Sequence, residues 1–391
     1  MDKILIVITD YGSFNNFLAE IAVHLSLDNE VHVVCSPSNV INIVDKFDYK
    51  KYNLTFHFID IPRSTSIVKV LKAGFKINKL IKENKINLVY AHFTTGIFPV
   101  ILFKNKGIEY WGTFHGLGMN ASSGLRKVMF TIVEMFCFAR LDKIFLINKK
   151  DFSLVSNIFK NKTHKYQSCG VGCDIEKFDS NNFQLIDKKN ILQELNIENK
   201  FVITFTGRFV EFKGFDLVYR SFTKLTNKYP GNFTLLLLGG NDPIHSSGLT
   251  EDEEKVLKNS QNIFNIGYTS EVEKYLKISD VFLFPSKKEG LPVCIVEALS
   301  MGVPVITLDE RGNSDVVVNS YNGYLIKSVS KDKDIDEIVG KIEYLYKDNN
   351  ALKFLSSNCL LDRRRYSRSF FVEEQLNLIN DFKKQYKLTN E

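Results

Sequence analysis

Two glutamates stand eight residues apart in the stretch Val281-Phe-Leu-Phe-Pro-Ser-Lys-Lys-Glu289-Gly-Leu-Pro-Val-Cys-Ile-Val-Glu297, the most informative segment of the chain. Its apolar start is typical of a buried strand, and the run from Pro292 is typical of a helix, whose first turn tolerates proline. Glu289 then lies in a strand-end loop, and Glu297 lies in the second turn of the helix. Because the N–H groups that begin a helix are free to bind phosphate, this corner suits a ligand with hydroxyl groups and a diphosphate.

Length and composition set the broad class of protein. A chain of 391 residues predicts two domains at the usual ~100–200 residues each. The content of 44% hydrophobic and 25% charged residues is typical of a soluble globular protein. The start of the chain reads as a strand that ends at Asp10 rather than as a secretory signal, and no apolar run reaches the ~20 residues that span a bilayer. Six scattered cysteines favour reduced thiols, and so we expect a cytoplasmic protein.

Apolar strands alternate with helical segments through both halves of the chain, which predicts parallel α/β sheets covered on both faces. A helix is expected at Asn15–Leu27, and strands are expected at Leu88–His92 and Ile108–Phe114 with no element between them. We predict a first Rossmann-like domain at residues 1–175 and a second at residues 176–365. We expect residues 366–391 to form a final helix that packs back on the first domain.

A glycine-rich turn follows the first predicted strand of the second half. Gly207 and Gly214 permit a tight turn, while Arg208 and Lys213 add positive charge beside a helix start, a combination that suits a diphosphate. A solvated loop with surface charges is the alternative, but the carboxyl end of a strand is where α/β sheets bind ligands. The segment Gly239–Asp242 closes the next strand, and it either shapes the same pocket or forms a simple turn.

These segments together resemble a known enzyme family. Glu289 and Glu297, with Gly-Leu-Pro between them, resemble the signature of retaining glycosyltransferases of the family 4 type. The turn from Gly207 to Gly214 is similar to that family's diphosphate-binding turn. The resemblance implies a GT-B fold, in which two Rossmann-like domains face each other across a cleft. It also implies a nucleotide-sugar donor bound in the C-terminal domain and no metal requirement.

Two further segments carry the resemblance. Arg311–Asp315 with Asn322–Leu325 resembles the part of the family that follows the signature, and Gly172–Phe178 resembles its interdomain segment, with Cys173 where valine is usual. Asp332-Lys-Asp334 has the spacing of a metal-binding pair, but its polar linker context favours a solvated pair.

The family resemblance also implies roles for individual residues. Arg208 and Lys213 would bind the diphosphate, Glu297 the ribose, and Glu289 the hydroxyl groups of the transferred sugar. The turn and helix-start residues that would contact the donor are Gly207, Gly290, Leu291, Pro292 and Val293.

The first half contributes a candidate histidine. His115 follows a predicted strand and is flanked by glycines, and the resemblance places a histidine here near the donor sugar and the leaving group, where it could donate a hydrogen bond. A structural histidine is the alternative. The resemblance also makes Gly12, after the first strand, a contact of the donor phosphate or acceptor. This loop lacks a complete Gly-x-Gly-x-x-Gly pattern, which argues against an NAD site.

Positive charge is concentrated in the first half, where 22 Lys and Arg residues stand against 14 Asp and Glu residues in positions 1–175. Arg126 and Lys127 precede the apolar run Val128–Phe138. Six lysines recur at helical spacing and form either a solvated face or a contact with the anionic cytoplasmic leaflet: Lys69, Lys72, Lys76, Lys79, Lys82 and Lys85.

The family resemblance implies retaining transfer of a sugar, and we expect a UDP-linked N-acetylhexosamine as donor. It also implies a polyprenyl-diphosphate-linked or glycan acceptor in bacterial surface polysaccharide synthesis, with no nucleic acid partner. Arg208, Lys213 and helix N–H groups would stabilise charge that develops on the leaving diphosphate. Two alternatives stand: a GT-B-fold sugar-nucleotide 2-epimerase, and an inactive GT-B module that binds a glycan or a partner. An inactive module would not need to keep all four charged residues of the predicted donor site, which argues against this alternative: Arg208, Lys213, Glu289 and Glu297.

Overall fold

The computed structural model describes residues 2–37, 44–62, 66–182 and 185–390, which form two compact units. The first unit runs to Val171 and resumes at Phe371, while the second runs from Gly172 to Phe370. The boundaries predicted from the sequence lie after residues 175 and 365, a few residues away from these positions. Within the described chain, the helices are too short or too polar to cross a bilayer.

A seven-stranded parallel sheet organises the described part of the first unit. Its strands are β1 Lys3–Asp10, β2 Glu30–Ser36, β3 Leu54–Phe58, β4 Leu88–His92, β5 Glu109–Phe114, β6 Lys143–Leu146 and β7 Thr163–Lys165. They lie in the order β3-β2-β1-β4-β5-β6-β7. The surrounding helices are α1 Tyr11–Phe17, α2 Ala19–Ser26, α3 Ile67–Glu83, α4 Phe93–Leu102, α5 Gly118–Ala121, α6 Gly124–Arg140 and α7 Lys149–Phe159.

The second unit has a six-stranded parallel sheet. Its strands are β8 Phe201–Phe209, β9 Phe233–Asn241, β10 Ile263–Gly267, β11 Val281–Leu283, β12 Val305–Leu308 and β13 Gly323–Ile326, in the order β10-β9-β8-β11-β12-β13. Its helices are α8 Leu185–Glu194, α9 Phe215–Lys228, α10 Glu251–Asn259, α11 Val272–Ile278, α12 Val293–Ser300, α13 Asn313–Val316, α14 Lys331–Lys347, α15 Asn349–Leu361 and α16 Arg363–Tyr366. The first five residues of β8, the first six of β9 and all of β11 are buried and mostly apolar, as expected for a sheet covered on both faces.

The last helix, α17 Arg368–Asn390, packs on the sheet of the first unit. The hydroxyl groups of Tyr90 and Tyr166 lie 2.7 Å apart in the core, and both donate to the side-chain oxygen of Gln375 on this helix. Phe382 packs edge-on against Trp111, with ring centroids 5.6 Å apart. These buried contacts explain why the chain returns to its first unit.

Two local predictions for the first unit were wrong. The single helix predicted over Asn15–Leu27 is two helices, α1 and α2, which meet at Leu18. Helix α4 was absent from the prediction, and it contains Pro99 although proline usually ends a helix.

Both sheets share one arrangement, in which the first strand of each unit is flanked by its second and its fourth. In such sheets the connections leave in opposite directions at this point, and ligands bind at the carboxyl ends of the two adjacent strands. The fold therefore predicts ligand sites at the carboxyl ends of β8 and β11 in the second unit and of β1 and β4 in the first.

Candidate functional site

The loops after β8 and β11 meet in a charged crevice of the second unit. Lys213 Nζ lies 2.5 Å from Glu289 Oε1, and the two side chains are only 20% and 10% exposed. Ser286 Oγ donates to the same carboxylate oxygen at 2.6 Å. The Lys213 ammonium also lies 5.5 Å from the centre of the Phe284 ring, which attracts a cation. The structure thus joins Lys213 and Glu289, two predicted site residues, in one ion pair.

Close backbone packing holds these loops together. Gly214 has a φ of +76°, and a Cβ atom added there would lie 2.2 Å from the backbone oxygen of Pro285. Gly312 has a φ of +83°, and its Cβ would lie 2.7 Å from the oxygen of Gly290. Only glycine fits either position, since both the dihedral angle and the space exclude a side chain.

A buried asparagine supports the same loop, although the sequence prediction gave it no role. Asn313 Nδ2 donates to the backbone oxygens of Ser286 at 2.8 Å and Leu308 at 3.2 Å. Its side-chain oxygen is buried and has no hydrogen-bond partner in the part of the chain that the structure describes. Asn313 therefore fixes the residue that donates to Glu289.

Glu297 lies in the second turn of α12, as predicted. Pro292 is the N-cap of this helix and does not lie in its first turn. Burial raises the pKa of the Glu297 carboxyl to about 7, against the opposing effect of the nearby Lys177 and Arg368 charges. The helical hydrogen bonds of α12 begin at the N–H of Ile295, so the N–H groups of residues 293 and 294 precede them at the helix start.

Arg208 occupies a separate place at the same edge of the sheet. Its guanidinium forms an ion pair with Asp242, from the loop after β9, and lies 5.4 Å from the Phe212 ring centre. The backbone N–H of Ile244, followed by Arg208 and His245, holds the pKa of the Asp242 carboxyl well below its usual range. The Arg208 side chain is 44% exposed, whereas Asp242 is only 7% exposed. Gly207 precedes it in the last part of β8.

In the first unit, two histidines meet at the carboxyl ends of β4 and β5. His92 Nδ1 lies 3.2 Å from His115 Nε2, and the His115 ring stacks on Phe93 with centroids 4.3 Å apart. Burial lowers the pKa of His115 to about 4 and lowers that of His92 well below its usual value. Both rings are therefore neutral at physiological pH.

The surroundings of this pair favour one arrangement of its protons. His92 Nε2 is buried with no hydrogen-bond partner among the described residues. A buried N–H without a partner is rarer than a buried acceptor without one, which favours a proton on His92 Nδ1. His92 would then donate to His115 Nε2, and His115 would carry its own proton on Nδ1.

Two buried carboxylates hold the segment that follows His115, from Leu117 into the start of α5, and the sequence prediction did not identify them. Glu134 accepts hydrogen bonds from the backbone N–H groups of Gly118 at 2.7 Å and Met119 at 3.0 Å. Asp151 accepts from the N–H of Leu117 at 3.0 Å. A single carboxylate inside an otherwise apolar run, as at Glu134, is the signal that could have shown this role.

The remaining candidates have simple settings. Gly12 lies in the first turn of α1, directly after β1, where Asp10 caps the helix by accepting from the N–H of Ser13 at 2.9 Å. Asp334 is buried and accepts from Ser328 Oγ at 2.6 Å and from the N–H of Val329 at 2.9 Å, so it fixes the turn before α14. No group of three metal-ligating side chains occurs among the described residues.

Comparison with known proteins places the chain in a family. A model described as glycosyl transferase 4-like matches residues 3–148, and a model described as glycosyl transferases group 1 matches residues 187–359. An Escherichia coli relative, UDP-Gal:alpha-D-GlcNAc-diphosphoundecaprenol alpha-1,3-galactosyltransferase, is 24% identical over 360 residues, which cover 90% of this chain and 88% of that protein.

Two other proteins extend the comparison. A Campylobacter jejuni relative, N,N'-diacetylbacillosaminyl-diphospho-undecaprenol alpha-1,3-N-acetylgalactosaminyltransferase, is 26% identical over 316 residues, covering 79% of this chain and 81% of that protein. The crystal structure of Anabaena HepE in complex with UDP superposes with a TM-score of 0.77 at 14% identity, covering 97% of this chain and all of that one. The chain therefore belongs to the glycosyltransferases described by these two family models, and it has the GT-B fold.

Proposed function

We propose that this enzyme transfers a sugar, with retention of anomeric configuration, from a UDP-sugar to a polyprenyl-diphosphate-linked glycan of a bacterial surface polysaccharide. The observation that carries the proposal is the ion pair of Lys213 and Glu289 at the point where β8 and β11 adjoin. The names of the two bacterial relatives support the acceptor class, and one of them supports N-acetylhexosamine as the transferred sugar.

The donor would be held by charged groups on the loops of the second unit. Lys213 would exchange Glu289 for the diphosphate, while the freed carboxylate accepts hydrogen bonds from hydroxyl groups of the sugar. Arg208 would exchange Asp242 for the same diphosphate, and Glu297 would accept from the ribose hydroxyls. Positive charge placed where the leaving group becomes more negative lowers the barrier, because it binds the transition state better than the substrate.

His115 would act from the first unit as a neutral hydrogen-bond donor. A proton on Nδ1, as favoured above, would let it donate to a sugar hydroxyl or to a phosphate oxygen. Because its pKa is about 4, it would bind without adding a charge at neutral pH. Glu134 and Asp151 would act indirectly, by positioning the loop that follows it.

Retention would follow from a front-face displacement. The bond from the anomeric carbon to the diphosphate oxygen breaks, and the acceptor hydroxyl oxygen bonds to the same face. The departing diphosphate oxygen takes the hydroxyl proton. Lys213 and the helix-start N–H groups of α12 would stabilise the diphosphate during this exchange.

Turnover of a panel of UDP-sugars, with and without a polyprenyl-diphosphate-linked acceptor, tests the proposal. We expect slow release of UDP alone, faster release with acceptor, and a product whose anomeric configuration, measured by NMR, matches the donor. Isomerised UDP-sugar without acceptor would instead identify an epimerase. A lack of turnover with every donor would identify a binding module.

The two glutamates provide a sharper test of the assigned roles. Glu297→Ala should mainly weaken binding of UDP, because it removes the ribose acceptor. Glu289→Ala should mainly reduce the rate of transfer, because it removes contacts to the sugar. Equal affinity of free UDP for the wild type and Glu297→Ala would show that the ribose assignment is wrong.

We also propose peripheral contact with an anionic membrane through α3. Of the six lysines at helical spacing, the five from Lys69 to Lys82 are exposed along this helix. Leu71 and Phe75, on the same helix, are 42% and 63% exposed and lie beside these lysines. Lysines next to exposed apolar side chains form the pattern of a helix that lies on a membrane surface.

Charge reversal tests this contact. Each basic residue near an anionic surface contributes about 1 kcal/mol, so replacing Lys69, Lys72, Lys76 and Lys79 by glutamate should abolish binding to anionic vesicles. Reversal of four exposed lysines on the second unit is the matched control: Lys224, Lys255, Lys258 and Lys353. Binding that persists, and does not depend on salt, would refute the contact.

A further inference from the structure

The first unit contains an apolar groove whose lining residues have no part in the proposed donor site. It has a volume of about 260 Å³ and lies between α3 on one wall and α6 on the other, with α4 as its floor. Ile67 and Val70 come from α3, Phe98 comes from α4, and Met129 and Val133 come from α6. The volume is slightly below the ~300–1,000 Å³ of pockets that enclose a drug-sized ligand, so the groove suits a segment of a flexible chain.

Exposed apolar side chains continue the groove outward along α6. Leu125, Val128, Ile132 and Phe136 follow one another at spacings of three or four residues, which places them on one face of the helix. Leu125 is 86% exposed and Ile132 is 65% exposed. A contiguous apolar stripe of this kind on a protein surface marks a site of interaction.

Positive charge flanks the apolar surface on both walls. The lysines of α3 lie next to its exposed apolar residues, and Arg126 and Lys127 are exposed at the start of α6. An occupant that is apolar along its length and negatively charged at one end, or embedded in an anionic surface, matches this distribution of charge.

The inner end of the groove reaches the candidate site of the first unit. Thr94 and Thr95, in the first turn of α4, line the groove. Thr95 Oγ1 lies 2.8 Å from Thr9 Oγ1 near the end of β1. Thr94 Oγ1 donates at 2.8 Å to Glu134, which also binds the loop after His115. The inner end of the groove therefore lies beside the carboxyl ends of β1 and β4 and close to the segment that follows His115.

We infer that this groove binds the isoprenoid chain of the lipid-linked acceptor and directs its diphosphate end toward His115. The inference rests on the proposed function, because that function supplies an acceptor with an apolar chain and an anionic head. Burial of the chain next to α4 would place the acceptor by its lipid rather than by its sugars alone. Because burial of apolar surface is favourable, even a short buried segment of the chain should raise the affinity measurably.

The first experiment compares two soluble probes on the wild-type protein by calorimetry. Farnesyl diphosphate carries an isoprenoid chain, while inorganic diphosphate carries only the charged head. We expect farnesyl diphosphate to bind more tightly by about tenfold or more, which corresponds to ~1.4 kcal/mol. Equal affinities would overturn the inference, whatever the variants show.

The second experiment places a carboxylate on each wall of the groove. Val70→Glu and Met129→Glu change partly exposed residues that lie outside the buried core cluster of this unit, so folding should persist, and melting temperatures check this. Each variant should lose most of the preference for farnesyl diphosphate. Ile158→Glu, at an exposed position of α7, is the matched control and should retain it. Unchanged preference in both groove variants would overturn the inference.

Other occupants of the groove give different results. A groove that only rests on membranes would give binding to anionic vesicles without a preference between the soluble probes. A groove that joins two copies of the chain would give a dimer that dissociates in Met129→Glu, again without that preference. Failure of the proposed function is distinguishable, because the probe preference would remain while transfer to every lipid-linked acceptor was absent.

Discussion

The two units use one strand order but hold different chemistry at the equivalent edge. In the second unit, the strand ends carry an ion pair, Lys213 with Glu289, and burial brings the pKa of Glu297 to about 7. In the first unit, the equivalent edge carries His92 and His115, whose pKa values are lowered by burial. The group that changes charge near neutral pH is thus a glutamate rather than a histidine.

This difference shows that the topology and the side chains determine different properties of a binding site. The strand order determines where a ligand can bind, because it opens a crevice between two adjacent strands. The residues that end those strands determine what binds. In the second unit these residues are charged pairs, which suit the diphosphate we propose for them. In the first unit they are neutral rings beside an apolar groove, which suit a hydrogen bond to the acceptor and the lipid chain we infer there.

The largest effect is expected from Lys213→Ala. Loss of one group that stabilises developing charge typically lowers the rate about 10²–10³-fold, and we expect transfer to fall by that amount. UDP release in the presence of acceptor measures it. Lys224→Ala removes an exposed lysine of the same unit as a control. If the transfer rate of Lys213→Ala fell by less than about threefold, Lys213 would not stabilise the leaving diphosphate as proposed.

Glycine replacements compare how the two edges are packed. Gly214→Ala should lower the free energy of unfolding by about 3 kcal/mol or more, because φ is positive and backbone blocks the new Cβ. Gly118→Ala should cost less, since the atom within 2.4 Å belongs to the Phe130 ring, which can move. Gly340→Ala, in α14 with no atom within 4 Å, should stabilise by about 0.5–1 kcal/mol. Urea denaturation measures all three, and equal costs for the first two would contradict the comparison.

His115→Gln tests the neutral edge. Loss of one hydrogen bond to a ligand costs about 1–1.5 kcal/mol, so transfer should slow roughly tenfold while the affinity for UDP stays the same. His24→Gln, at an exposed position on α2, should change neither. A loss of UDP affinity in His115→Gln would place this residue on the nucleotide instead.

The smallest effect concerns pH. The affinity for UDP should rise a few-fold between pH ~6 and ~8 as Glu297 loses its proton, since only the carboxylate accepts two hydrogen bonds from the ribose. His115 should not titrate in this range. Calorimetry at each pH, with Glu297→Gln as the control that removes the titrating group, separates this effect from the titration of UDP itself.

Stability without ligand should show the opposite trend. The folded pKa of Glu297 lies above its ordinary value of 4.5, so the folded state binds more protons between pH ~4.5 and ~7. The contribution of Glu297 to the free energy of unfolding is fully present below pH ~4.5 and is lost as the pH rises through 7. The free energy of unfolding of Glu297→Gln should therefore fall less across this window than that of the wild type.

Local sequence patterns were sufficient to predict most of the strands and helices of the fold. Alternating apolar strands and helices predicted the parallel sheets, because each pattern reports the burial of its own segment. Helix α4 was missed, and its tolerance of Pro99 depends on a tertiary setting that no local pattern reveals. The exposure of Leu71 and Phe75 was likewise unpredictable, since the spacing of residues shows that they share a face but not what covers it.

Sequence spacing located the crevice of the second unit but not its internal pairing. Glu289 and Lys213 were predicted to contact different parts of the donor, whereas without ligand they bind each other. Asn313 and Glu134 escaped prediction because their roles depend on which distant backbone groups come near them. Such supports become visible only when the loops have been placed in three dimensions.

The return of α17 to the first unit makes the order of synthesis important. During translation, residues 1–171 emerge from the ribosome long before Gln375. The side-chain oxygen of Gln375 accepts hydrogen bonds from Tyr90 and Tyr166 inside the first unit. Nascent domains usually fold in the order in which they emerge, but this one lacks the helix that packs on Tyr90, Tyr166 and Trp111 until α17 has been synthesised. The second unit, continuous in sequence, can therefore reach its final structure before the first. Chains that stop short of α17 would carry an unfinished first unit and offer an obvious target for proteolysis.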